Sequence, residues 1–170
     1  MKNVYLIGMM GSGKTTSGRA LAKLLSIPFV DLDDRIVEYE GESINEIFEK
    51  KGEPHFRKVE TELLGQVSKI ENQVVATGGG IIINPLNSER MRNTGFVIYL
   101  KTSLDILWER VKQKKDRPLL KSSDPKKSLA DLFCKRTPLY ESSSKKVFLT
   151  DHKSPEAVAL EIYKTCFEKK

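Results

Sequence analysis

The sequence predicts an α/β fold, a five-stranded parallel sheet with helices on both faces. Three observations predict it. Short apolar runs alternate with longer stretches at helical spacing, the pattern of repeated strand–helix units. The runs are continuously apolar, as strands covered on both faces are. The first of them, Val4-Tyr5-Leu6-Ile7, leads directly into G-M-M-G-S-G-K-T-T at residues 8–16, so the first strand-to-helix turn is rich in glycine.

In chain order, 4–7 is the first strand and 14–25 a helix with Leu21, Leu24 and Leu25 on one side. Residues 29–31 follow Pro28 as a short strand. Ser43-Ile44-Asn45-Glu46 has capping-box spacing and starts a short helix through Lys50. Residues 54–70 read as a longer helix, with Val59, Leu63, Val67 and Ile70 at helical spacing. Residues 74–76 are a strand that ends in Thr77-Gly78-Gly79-Gly80, and 96–100 are the next strand. A helix is expected over 103–114, a last strand over 147–149, and a last helix over 154–167. That helix is capped by Ser154 with Pro155 at its first position. Residues 114–127, K-K-D-R-P-L-L-K-S-S-D-P-K-K, fit neither pattern. They are polar, contain two prolines and offer little to bury, and so read as a mobile functional loop or plain surface.

The 170 residues suit a single domain over 1–170, with 39% hydrophobic and 31% charged residues. No apolar run approaches the roughly 20 residues that span a bilayer. The run from Val4 to Met10 meets Gly-Ser-Gly-Lys rather than a cleavage site, so no membrane partner and a cytoplasmic location are expected. Cys134 and Cys166 stand apart, with no metal-like cluster, as structural thiols do. The net charge of +6 suits anionic ligands. The Lys-rich runs at 112–115 and 169–170 lack interleaved aromatics for base stacking, so they read as solvated surface and no nucleic acid is expected. A monomer is the default expectation.

Gly8, Gly13, Lys14 and Thr15 fit G-x-x-x-x-G-K-[ST], and the strand–loop–helix context is the one the motif requires. Backbone N–H groups of Gly11, Ser12, Gly13, Lys14, Thr15 and Thr16 would surround an anion at the positive end of the helix. Lys14 supplies a charge for the β- and γ-phosphates, and the Thr15 hydroxyl a ligand for Mg²⁺. The loop by itself says nucleoside triphosphate; GTPases, ATPases, nucleotide kinases and small-molecule kinases all carry it. The third strand ends in Thr-Gly-Gly-Gly rather than Asp, so the candidate metal-side carboxylates are Asp31, Asp33 and Asp34 at the end of the second strand. Ligands gather at the carboxyl ends of strands in such sheets, which places these aspartates, the triple glycine and the phosphate loop on one rim.

An ordered set of segments resembles the shikimate kinase family: G-M-M-G-S-G-K-T-T, F-V-D-L-D-D, S-I-N-E-I-F, G-E-P-H-F-R-K-V-E, T-G-G-G, D-R-P-L-L and K-R-T-P-L-Y, spanning about residues 4 to 150. The resemblance implies a three-layer P-loop kinase fold with a mobile lid over about 112–125 and a helical acceptor-binding segment over 33–60. It implies ATP-dependent phosphorylation of the 3-hydroxyl of shikimate, with Mg²⁺, in aromatic amino-acid biosynthesis; another small P-loop kinase, such as a gluconate kinase, is the alternative. It also implies roles. Arg57 and Arg136 match the carboxylate binders, a task suited to the planar guanidinium fork. Asp33 matches the residue that grips hydroxyls and is the candidate base. Gly78, Gly79 and Gly80 match the glycine run beside the ring, and Asp31 the metal-side carboxylate that accompanies Thr15. Arg117 matches the lid arginine that reaches the transferring phosphate. Phe48 and Phe56 would wall the pocket, and Glu60 would orient Arg57 from three residues away. Arg110, Lys153 and Pro155 fall where the family flanks adenine.

Overall fold

The computed structural model describes residues 2–114 and 116–168; Lys115 of the expected lid and the terminal lysine pair lie outside the described residues. Strands β1 (Asn3–Ile7), β2 (Phe29–Asp31), β3 (Val74–Ala76), β4 (Gly95–Lys101) and β5 (Lys146–Leu149) pair in parallel in the order β2-β3-β1-β4-β5. Val4 lies opposite both Val74 and Phe96. Alternate residues of each run serve opposite faces. Tyr5, Ile7, Val75, Val97 and Tyr99 pack into one core, and Val4, Leu6, Val74, Ile98 and Leu100 into the other. Both faces being dry, neither needs polar residues, and the strands read as unbroken apolar runs.

Helices α1 (Lys14–Leu25) and α7 (Pro155–Cys166) cover the second face. The first is covered by α2 (Leu32–Glu40), α3 (Ile44–Val67), α4 (Pro85–Thr94), α5 (Leu104–Val111) and α6 (Pro125–Ser143). The expected caps form. The hydroxyl of Ser43 accepts from Glu46 N while the Glu46 carboxylate accepts from Ser43 N, and Ser154 accepts from Ala157 N at 3.1 Å.

Several boundaries differ from expectation. The two helices expected over 43–50 and 54–70 are α3, bent at Gly52 (φ 82°, ψ 167°), and it ends at Val67. Ile70 is 62% exposed, so its helical spacing marks no buried face. Leu24 is exposed beside the buried Leu21, and α5 stops at Val111 rather than at 114. Helix α2 falls in the helical segment expected over 33–60, though the residue pattern did not single it out; α4 and α6 were not expected. Their apolar content is thin: α2 buries Leu32 and Ile36, and α4 a single large apolar residue, Met91. The stretch 114–127 has more to bury than its composition suggests. Leu120 enters the core and α6 begins at Pro125, its N-terminus capped by Asp124.

Cys134 and Cys166 are free thiols. No helix among the described residues is long and apolar enough to cross a membrane.

Candidate active site

The carboxyl ends of β1, β2 and β3 carry the residues singled out from the sequence. After Ile7 the chain turns through Gly11 and Gly13 in the left-handed region (φ 81° and 87°), where a side chain is strained. Gly13 is the N-cap of α1 and offers no side-chain acceptor, so the first amides of a twelve-residue helix stay available to an anion. Lys14 Nζ donates to the carbonyl oxygens of Gly8 (2.8 Å) and Met9 (2.9 Å), which holds the ammonium across the loop. Thr15 Oγ1 donates to Asp31 Oδ2 at 2.6 Å, and Thr16 Oγ1 to Gly13 O at 3.2 Å. Asp31, not Asp33, caps α2: its Oδ1 accepts from Asp33 N at 3.0 Å. This cleft, about 760 Å³, is lined by Gly11–Thr16 and by Arg110, Arg117, Lys153 and Pro155 on its far side. Arg110 Nη1 donates to Gly11 O at 2.9 Å, and Lys153 pairs with Glu161 at 2.6 Å.

A second cavity, about 70 Å³, adjoins the first. Its lining includes Phe48, Phe56, Arg57, Glu60, Arg136 and the three glycines. Asp33, Gly79 and Arg117 line both spaces, so they sit where the two meet. Gly78 and Gly80 serve room rather than backbone conformation. A Cβ on Gly78 would lie 2.6 Å from Glu60 Oε1 and 3.0 Å from Asp33 Oδ1, and one on Gly80 would collide with the Arg57 guanidinium. On Gly79 it would make ordinary contacts, 3.4 Å from both Arg136 Nη1 and Met10 N. Phe48 and Phe56 meet at 4.8 Å across the bend at Gly52, which turns the two halves of α3 toward one pocket.

Arg57 is held from both ends, by Glu60 Oε2 at 2.8 Å and by Glu53 Oε1 at 3.2 Å. Arg136 differs. It is 3% exposed and forms no ion pair among the described residues. A buried guanidinium is costly unless something negative meets it. Asp33 Oδ1, Glu60 Oε1 and Arg117 Nε are buried without a hydrogen-bond partner. Unpaired acceptors and donors therefore converge on one small space, the arrangement that takes an acid bearing hydroxyl groups.

Burial dominates the electrostatics. It pushes Lys14 down to about 8 against the pull of Asp33, with Arg117 adding to the decrease. It lifts Asp33 above the usual carboxylate range, and the Asp31 charge adds to this. It pushes Glu60 up to about 7, with Arg57 opposing. The folded protein therefore holds a proton on Glu60 that the unfolded chain has released above about 4.5. The stability contributed by that proton is full below about 4.5 and is lost as pH rises through about 7. Glu60→Gln is expected to flatten the fall of Tm between pH 5 and 7, read by thermal melts across that range; an unaltered slope would remove Glu60 from the titration.

No group of three or more His, Cys, Asp or Glu side chains among the described residues could hold a metal by itself. The donors that face the cleft are the Thr15 hydroxyl and the Asp31 carboxylate, both oxygen. They fit Mg²⁺, which takes few protein ligands and keeps water and phosphate oxygens.

Sequence reasoning overlooked Tyr140. Its ring is fully buried and stacks on Tyr99 at 5.0 Å, and its hydroxyl donates to Gly79 O. The signal was its place four residues after Arg136 in K-R-T-P-L-Y, the same face of a helix. Asp116 and Met10, which line both cavities, carried no signal of their own.

Comparison with known proteins gives a consistent picture. A family model described as shikimate kinase matches residues 10–167. The shikimate kinase of Xylella fastidiosa (strain M12) is 42% identical over 160 residues, covering 94% of this chain and 89% of that protein. The shikimate kinase of Nitrosospira multiformis is 44% identical over 157 residues, covering 92% of this chain and 80% of the relative. The structure is similar to that of shikimate kinase from Acinetobacter baumannii in complex with shikimate. The TM-score is 0.95 at 39% identity, covering 97% of this chain and 92% of that one.

Proposed function

Since this chain belongs to the shikimate kinase family, we infer that it transfers the γ-phosphoryl group of ATP to the 3-hydroxyl of shikimate, giving shikimate 3-phosphate and ADP. The observation that carries this reading is the unpaired, buried Arg136 beside Arg57 and Asp33, in a pocket that opens onto the phosphate loop.

Phosphoryl transfer asks the protein mainly for position and charge. In this reading the loop amides and Lys14 hold ATP, with Arg110, Lys153 and Pro155 beside its base. Arg57 and Arg136 bind the acceptor carboxylate, and Asp33 takes a hydrogen bond from a ring hydroxyl. Gly78 and Gly80 leave the space that Asp33 and Arg57 occupy, and Gly79 lies between them beside Arg136. Asp33 is raised above its ordinary range yet lies among Lys14, Arg117 and Arg57, which favour its ionised form, so it can receive the hydroxyl proton as the oxygen attacks. Thr15 and Asp31 would hold Mg²⁺, which when bound neutralises phosphate charge. The segment 112–125 is the lid, and Arg117 reaches the γ-phosphate from it. Closure excludes water that would otherwise hydrolyse ATP. A cytoplasmic monomer without membrane or nucleic-acid partners is part of the same reading.

The test is coupled ADP release with ATP and shikimate, gluconate or AMP in turn; turnover is expected with shikimate alone. Arg57→Ala should raise the shikimate KM about 10–100-fold, the cost of losing a hydrogen-bonded charge partner. The KM for ATP should stay within about twofold. Turnover with gluconate instead, or an equal rise in both constants, would refute the assignment.

A further inference from the structure

Tyr140 joins three parts of the site that come from separate segments of the chain. It lies on α6 one turn after Arg136, and both side chains are buried. The Arg136 charge acts on the buried phenol. The hydroxyl spends its one proton on the Gly79 carbonyl, and the Met9 sulfur lies 3.6 Å away. Gly79 in turn lies against Arg136 Nη1 and the backbone N of Met10, each 3.4 Å from where a Cβ would stand. The ring is fixed by its stack on Tyr99, 24° from parallel. A single hydroxyl therefore ties α6, one turn beyond Arg136, to the glycine run beside the phosphate loop.

We propose that Tyr140 is a positioning residue for the transfer: the bond from its hydroxyl to the Gly79 carbonyl sets where the turn of α6 that carries Arg136 stands against the glycine run, and so the distance between the acceptor's carboxylate site and the phosphate loop. This rests on the reading of Arg136 as a carboxylate binder. A side chain can bury its ring for stability alone, and Tyr140 does that through Tyr99. The hydroxyl is a separate matter. Without it the turn of α6 that carries Arg136 loses its tie to the glycine run, and the Gly79 peptide loses the donor that fixes its plane. Both losses fall on the acceptor side, and neither touches the amides that hold nucleotide. Small misplacement of a reacting group is expensive in rate, so kcat should suffer with acceptor binding.

The experiment is Tyr140→Phe beside Tyr99→Phe and Arg136→Lys, with shikimate and ATP constants measured separately and ATP binding titrated on the same preparations. Tyr140→Phe keeps the ring. It is expected to raise the shikimate KM about tenfold and lower kcat about tenfold, with ATP affinity within about twofold. Tyr99→Phe, whose hydroxyl does not touch Arg136 or Gly79, should leave both constants near the parent values. An unchanged shikimate KM in Tyr140→Phe overturns the proposal, and so does a parallel loss of ATP and shikimate binding, which is what a merely structural or unfolded variant gives. If Arg136→Lys raises the shikimate KM where Tyr140→Phe does not, the carboxylate site stands and only the positioning bond falls. If neither variant moves it, the reading of Arg136 falls as well.

Discussion

Arg117→Ala is expected to lower kcat by about 10³-fold or more, in the range found for arginines that meet a transferring phosphoryl group. The shikimate KM should change far less. Arg117 stands just before the 3₁₀ turn Pro118–Leu120 and lines both the nucleotide cleft and the acceptor pocket. Its nearest acidic neighbour, Asp116, is 3.9 Å away, and its Nε is buried with no hydrogen-bond partner. Only a long pair with an exposed carboxylate holds the guanidinium back. In the proposed reading, charge spreading over the γ-oxygens in the transition state would supply what it lacks, and ground-state shikimate would supply less, because Arg57 and Arg136 would be the groups around the carboxylate. The predicted signature is therefore in kcat rather than in acceptor affinity. Steady-state kinetics over both substrates decides it: an undiminished kcat would take Arg117 out of the chemistry.

How much of this was legible beforehand depends on which physical signal each part leaves in a sequence. The phosphate loop was readable because left-handed turns, an uncapped helix end and a lysine at fixed spacing leave few other residue choices; Gly11, Gly13 and Lys14 occupy the predicted places. The central strands were readable because burial on both faces leaves them almost wholly apolar; the edge strand β5 kept its apolar residues even though Val147 and Leu149 are exposed. Helix α4 was not, because it buries one large apolar residue beside Asn87 and Ser88, and polar burial has no periodic hydrophobic trace. Helix α6 was hidden in a similar way. Pro125 lies in the stretch read as loop or surface, yet it sits at the first helical position, where no amide is needed, and the inward side of the helix at its C-terminal end includes Arg136, Tyr140 and Ser143. The triple glycine was visible in the sequence, but its reason lies in tertiary packing: Glu60 and Arg57 of α3 fill the space that side chains at Gly78 and Gly80 would take. The Arg57–Glu60 pair lies inside that packing, with Glu60 0% exposed.

Lys14→Met is the second large effect. Turnover is expected to fall by at least about 10²–10³-fold, the usual cost of losing a charge-stabilising donor in a transition state, while the fold survives. The argument for survival is electrostatic. Burial lowers Lys14 to about 8 from 10.5, so the charged form is less favoured in the folded protein than in the unfolded chain. Without nucleotide, the unfolded chain binds more protons between about pH 8 and 10.5, and the stability linked to Lys14 rises with pH across that window. At pH 7 the folded protein carries the full cost of this buried ammonium, offset in part by the Gly8 and Met9 carbonyls. Methionine removes that cost along with those two hydrogen bonds, so the Tm of the ligand-free variant should lie within a few degrees of the parent. The contrast should appear on adding ATP. A ligand that binds only the folded state raises Tm by mass action, and a variant lacking the lysine has lost much of its grip on the phosphates. Thermal melts with and without ATP, set beside kcat, read both quantities on one preparation. A ligand-free Tm near the parent together with an undiminished ATP-induced shift and normal turnover would mean that Lys14 serves only to brace its own loop.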